Sequence, residues 1–156
     1  MLVRTNPLAL LFLVLVCLTA CRERREATYE TLLAAQENGA IERGWVPDFL
    51  PASAFTIREY HDLDTNEIWG TFRFEPAEWH SLREHLVFLA PESGLATRSP
   101  GTDIDWWPPE LAERIATEEL RRQGFSLWQA REGTSSRFLF AVNPDAGLAY
   151  FWLPGS

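Results

Sequence analysis

The chain contains no lysine: all 14 of its basic residues are arginine, set against 22 acidic residues for a net charge of −8. That balance disfavours nucleic acid and anionic lipid surfaces as partners, because both need clustered positive charge. Cysteine is nearly absent as well. Its two copies, Cys17 and Cys21, lie close to the N-terminus, so residues 22–156 hold no disulfide, no thiolate zinc site and no thiol nucleophile. There is no glycine-rich phosphate loop and no serine in a nucleophile elbow. Long hydrophobic runs are missing too, since the apolar stretch at 8–16 is about half of the roughly 20 residues that a spanning helix requires. Aromatic side chains are plentiful, with 7 Trp and 10 Phe. A domain that cannot use disulfides can hold itself together by burying such rings, each contributing on the order of 1.5–3 kcal/mol when fully buried.

The N-terminus has the charged-then-apolar order of a secretory signal: Arg4, Pro7, an apolar run, then Leu18-Thr19-Ala20-Cys21. The small residues before Cys21 match a lipobox, the site where bacterial lipoprotein processing acylates cysteine and cuts before it. Residues 1–20 are therefore expected to be a lipoprotein signal peptide and Cys21 the lipidated first mature residue. Residues 21–27, rich in Arg and Glu, are expected to be a solvated spacer, and 28–156 a single globular α+β domain. Two or three acyl chains, at roughly 0.8 kcal/mol per buried methylene, make such an anchor effectively permanent. Arg22 follows the cysteine where an Asp would favour retention, which points to the outer membrane facing the periplasm in a double-membraned bacterium.

Along the domain, Tyr29, Leu32, Leu33 and Gln36 recur at helical spacing and Asn38-Gly39 closes that helix. Residues 55–60 and 68–74 alternate as two strands, with Phe55 and Ile57 on one side and Ile68, Gly70, Phe72 and Phe74 in phase. The segment 61–67 between them is rich in Asp, Asn and Thr, and predicts a hairpin turn. Pro76 opens a helix carrying Trp79, Leu82, Leu86 and Leu89, the stretch 92–105 reads as a surface loop, and Leu111, Ile115 and Leu120 mark a short helix ending at Gly124. Three strands follow at 125–130, 137–142 and 148–153. The expected fold is α+β: an antiparallel sheet, made of an N-terminal hairpin plus a C-terminal three-stranded meander, with two or three helices packed on one face.

Chemistry-bearing residues are few. Asp62, Asp64 and Asn66 match the opening of a calcium loop, but Glu67 stands where such a loop needs Gly, and the bidentate position is Arg73. Their simpler role is to accept backbone N–H bonds in the turn. His61 beside Asp62 has the makings of an oriented base without a nucleophile to serve. His80 and His85 are five apart on the expected helix, about 140° around its axis, so they cannot share a zinc ion. Asp103 and Asp105 before Trp106-Trp107 suggest a glycan subsite, against the alternative of a core plug. No cofactor is implied.

The blocks Arg43-Gly44-Trp45-Val46-Pro47, Leu50-Pro51-Ala52-Ser53-Ala54, His61-Asp62-Leu63-Asp64-Thr65-Asn66, Trp69-Gly70 and Phe72-Arg73-Phe74 are similar to a widespread group of small bacterial exported proteins and lipoproteins. The resemblance implies a single envelope domain and brings no activity, catalytic residue or ligand with it. The resulting expectation is a membrane-anchored envelope lipoprotein, non-enzymatic, binding an envelope protein or other component. Glycan binding through Trp106 and Trp107, or calcium binding through the 62–66 loop, are the alternatives.

Overall fold

A computed structural model describes residues 24–90, 97–101, 104–112, 114–131 and 137–155. The expected signal segment, Cys21, Asp103 and the 133–136 connection lie outside the described residues. Seven strands form one antiparallel sheet: β1 (Arg24–Thr31), β2 (Phe55–Asp62), β3 (Glu67–Arg73), β4 (Leu86–Phe88), β5 (Ser126–Ala130), β6 (Leu139–Asn143) and β7 (Leu148–Leu153), in the order β1-β2-β3-β7-β6-β5-β4. The expected hairpin is β2–β3 and the expected meander is β5–β6–β7, and the two halves join where β3 pairs with β7. Among the described residues, three α-helices of six residues each accompany them: α1 (Leu32–Glu37), α2 (Trp79–Glu84) and α3 (Thr117–Arg122).

Four expectations need correction. First, the charged run at 24–27 is not a spacer. It begins β1, paired from Arg24 opposite Asp62 to Thr31 opposite Phe55. An edge strand tolerates this composition because one side of its backbone and one face meet water, and charge there discourages edge-to-edge association. Tyr29 accordingly belongs to β1, and α1 starts only after Thr31, whose hydroxyl accepts from Ala34 N at 3.2 Å.

Second, the helix after Pro76 does not reach Leu89. It is a 3-10 turn (Pro76–Glu78) running into α2, after which Leu86 pairs opposite Ala130. The spacing of Trp79, Leu82 and Leu86 fits a helix, but the bare edge of β5 takes the last of these into the sheet.

Third, Phe55 and Ile57 do not share the core. A bulge between Phe55 and Arg58, with Thr56 at φ 48°, shifts the register and leaves Phe55 exposed while Ile57 is fully buried. Beyond the bulge, Ile57, Glu59 and His61 point to one face.

Fourth, both faces of the sheet are covered. On one, Ile57, Phe72, Phe140, Val142 and Phe151 pack beneath α1, α2 and the segment 38–54. On the other, Tyr60, Trp69, Leu139, Ala141 and Trp152 pack against Ile104, Trp107, Leu111, Ile115 and Leu120. The stretch read as loop and short helix therefore works as a second covering layer. Gly70 lies on the first face, where a Cβ would come within 2.0 Å of the Phe151 ring. The missing side chain makes room for the aromatic centre.

Candidate functional site

Regular alternation from Ile57 along β2 points two polar side chains inward where apolar ones are the norm. Glu59 is 0 % exposed, and its cross-strand neighbours are Ala27 and Gly70, small enough to leave it room. His61, 2 % exposed, places Nδ1 at 2.8 Å from Glu59 Oε2. Glu59 Oε1 and His61 Nε2 are both buried without a close hydrogen-bond partner among the described residues, and the Tyr29 hydroxyl is the other group that hydrogen-bonds the Glu59 carboxyl. Each such orphan costs about 1–3 kcal/mol.

Burial pushes the Glu59 carboxyl up, while the bonded His61 and the nearby Tyr29 and Arg43 pull it back. The Tyr29 phenol is raised for the reciprocal reasons, first its own burial and then the neighbouring Glu59.

Above His61 the chain stacks two further groups. Trp45 lies parallel to the imidazole, with ring centroids 3.9 Å apart and 18° between planes. The Arg43 guanidinium sits 4.1 Å from the Trp45 ring centroid and donates from Nη2 to Asn38 O at 2.8 Å and to Asn38 Oδ1 at 3.0 Å. The approach is local. Gly44, at φ 73°, reverses the chain so that Trp45 N reaches Ala40 O at 2.9 Å, and Gly39 leaves the space that the Arg43 side chain crosses.

A cavity of about 190 Å³ opens beside this stack at the turn end of the β2–β3 hairpin. Arg43, Trp45, His61, Asp62, Asn66 and Glu67 give it polar walls, and Leu63, Ile68 and Leu153 apolar ones.

The turn residues are largely committed to the turn. Asp62 Oδ1 accepts from Asp64 N at 3.0 Å and Thr65 N at 3.2 Å, and Asn66 adopts φ 56°, which closes the reversal. Asp64 is exposed and Glu67 pairs with Arg98 at 3.2 Å. Among the described residues no group of three His, Cys, Asp or Glu side chains is placed to hold a metal ion.

Trp106 and Trp107 are elsewhere, with the layer on the opposite face of the sheet. Trp107 is buried edge-on to Tyr150 and Trp152, and Trp106 is half-buried with Nε1 donating to Glu26 at 2.8 Å. Their rings stand at 78° to one another, with Trp107 plugging the core and Trp106 at its rim, so the two do not form one continuous flat surface. Asp105 is exposed, 4.0 Å from Arg58. His80 and His85 are both exposed, and His85 stacks on Phe49.

Of the residues singled out in the sequence, His61, Asp62 and Asn66 meet at the cavity, and Trp106 and Trp107 do not join them. Glu59, Arg43 and Trp45 escaped notice as site residues. A signal for Glu59 was present, because continuing the phase of Ile57 along β2 puts a carboxylate inward at 59.

Residues 23–73 match the family model of the YbbD head domain. The matched span runs through β1, β2 and β3, so it contains Arg43, Trp45, Glu59, His61 and Asn66, and the match supports the resemblance to a small bacterial family. No curated protein and no solved structure matches the chain. No helix among the described residues is long and apolar enough to cross a membrane.

Proposed function

We propose that this chain is a lipid-anchored protein of the bacterial envelope whose domain acts as a binding module, with its ligand site in the cavity beside His61. The observation that carries the binding reading is the buried Glu59–His61 pair, whose histidine forms part of the wall of an open cavity. Two ionisable side chains buried in a core reduce stability, and a domain keeps such groups where binding needs them. The head-domain match over 23–73 is consistent with an envelope-associated protein, and the lipobox at Leu18-Thr19-Ala20-Cys21 supports the anchor. The register adds a spatial consequence. Arg24 pairs opposite Asp62, so an anchor at Cys21 leaves the sheet at the same end as the cavity, within about three residues or roughly 10 Å of chain.

The anchor is tested by Cys21→Ser, which should move the protein from the membrane to the soluble fraction and change its mobility on a gel. Unchanged fractionation overturns it. Binding is tested by melting the purified full chain with and without a small-molecule extract of bacterial envelopes, since a ligand that binds only the folded state raises Tm. A rise that His61→Gln abolishes supports the module, and no rise in the unaltered protein overturns it.

A further inference from the structure

We propose that the hairpin-turn end of the domain lies on the phospholipid bilayer that holds the anchor, with Leu63 seated among the headgroups and Arg25, Arg43 and Arg137 reaching lipid phosphates. This rests on reading Cys21 as the lipid anchor.

Chain length sets the geometry. β1 begins at Arg24 opposite Asp62, and the steps from Cys21 to Arg24 span at most roughly 10 Å, so the acyl chains hold the 62–66 turn close to the membrane surface. Leu63 is the apolar residue of that turn and is 48 % exposed. A single exposed leucine is ordinary on a protein surface. This one stands at the tip that the tether presents to lipid. Trp45 is half-buried in the cavity wall beside it, with the Arg43 guanidinium over its ring. Trp and Arg suit a membrane interface because an apolar body can sit in the headgroup layer while the polar end stays hydrated.

The charge of the chain is spread unevenly. Arg25 lies opposite His61, Arg98 pairs with Glu67 at the start of β3, and Arg137 donates to Pro154 O just past the end of β7, so all three stand at the turn end with Arg43. These four arginines are exposed, and they match Asp62, Asp64, Glu67 and Glu42, so the eight cancel and the net −8 is carried elsewhere. At the opposite end Glu30, Glu75 and Asp145 are exposed against Arg73. A phosphate-bearing surface repels that end and lets the balanced one approach. The contact is too small to hold a free domain, but the anchor makes it effectively intramolecular, so a modest gain is enough to orient the sheet.

The test uses the full lipidated chain in vesicles of phosphatidylglycerol and phosphatidylcholine, with a nitroxide on part of the headgroups. A fluorophore on Asp64→Cys reports the turn, and one on Asp145→Cys reports the other end, roughly 20 Å away along the six residues of β7. The nitroxide should quench strongly at position 64 and little at 145. Adding Leu63→Ser should roughly halve the quenching at 64 with Tm unchanged, since Leu63 is exposed, and Arg25→Glu with Arg137→Glu should do the same. Equal quenching at the two positions, or quenching at 64 that neither change reduces, overturns the proposal. The unaltered chain is treated with the same label in parallel. With Cys17 cleaved off and Cys21 acylated it has no thiol, so uptake overturns the anchor and the contact with it. No uptake with an unquenched position 64 overturns the membrane contact alone and leaves the anchor standing.

Discussion

The β2–β3 and β6–β7 hairpins both reverse through four residues after a side chain that caps the turn, Asp62 in one and Asn143 in the other. Past that likeness they diverge. The Asn143 turn is packed into the body: its Nδ2 donates to Gln123 O at 2.8 Å, Gly147 O accepts from Phe74 N at 2.9 Å, and the strands bury Phe140, Val142 and Phe151 completely. The Asp62 turn stands over a cavity, and β2 buries a carboxylate and an imidazole instead. One hairpin uses its inward positions for cohesion, and the other surrenders cohesion to hold polar groups in place. The contrast marks the β2–β3 end of the sheet as the place where ionisable side chains are kept out of water at a cost in stability.

Substitutions can break or sharpen that contrast. The largest effect belongs to Phe151→Ala, which should cost about 4 kcal/mol in urea unfolding, as the ring fills the centre of the first core and lies over Gly70. A loss below about 2 kcal/mol would mean that the centre collapses easily. Gly147→Ala comes next, at about 2–3 kcal/mol, since the residue has φ 57° and a Cβ would meet Phe74 O at 2.1 Å. The same unfolding measurement checks it.

The double variant Glu59→Leu with His61→Phe should fall within about 1 kcal/mol of the parent or be more stable, because apolar side chains avoid the desolvation that the buried pair pays. A loss of about 3 kcal/mol would erase the difference between the hairpins.

The smallest effect is on pH dependence. Burial raises the Glu59 carboxyl above its ordinary 4.5, so between that value and the folded one the native state keeps a proton that the unfolded chain has released. Stability from this group is fully present below the unfolded value and declines as pH rises through the window. Glu59→Gln should flatten that decline in Tm measured from about pH 4 to about pH 7, and an unchanged slope would show that Glu59 does not titrate there.

Much of the sheet could be read directly, because alternation and turn chemistry are local. Ile68, Gly70, Phe72 and Phe74 were in phase for the face they occupy, and the 61–67 and 143–147 segments carried side chains that bond their own backbone. β1 was hidden because an edge strand with Arg and Glu resembles a spacer, and β4 because Leu86 fits helical spacing as well as it fits a strand. The bulge at Thr56 was invisible for a related reason: one extra residue changes the register without changing composition.

The site divides along the same line. His61, Asp62 and Asn66 were visible as polar residues in one turn, whereas Arg43 and Trp45 lie about 16 residues upstream and meet His61 only because residues 38–54 fold back over the sheet.

By itself the sequence determined the acidic, lysine-free charge balance, the absence of cysteine after Cys21, and an antiparallel sheet rich in aromatic residues. These are properties of residue type and short-range order. Only the tertiary structure decided that both sheet faces are covered, that Trp107 is a core plug, and that Glu59, His61, Trp45 and Arg43 form one stack beside a cavity. Those depend on strand register and on contacts between distant segments, which no local pattern encodes.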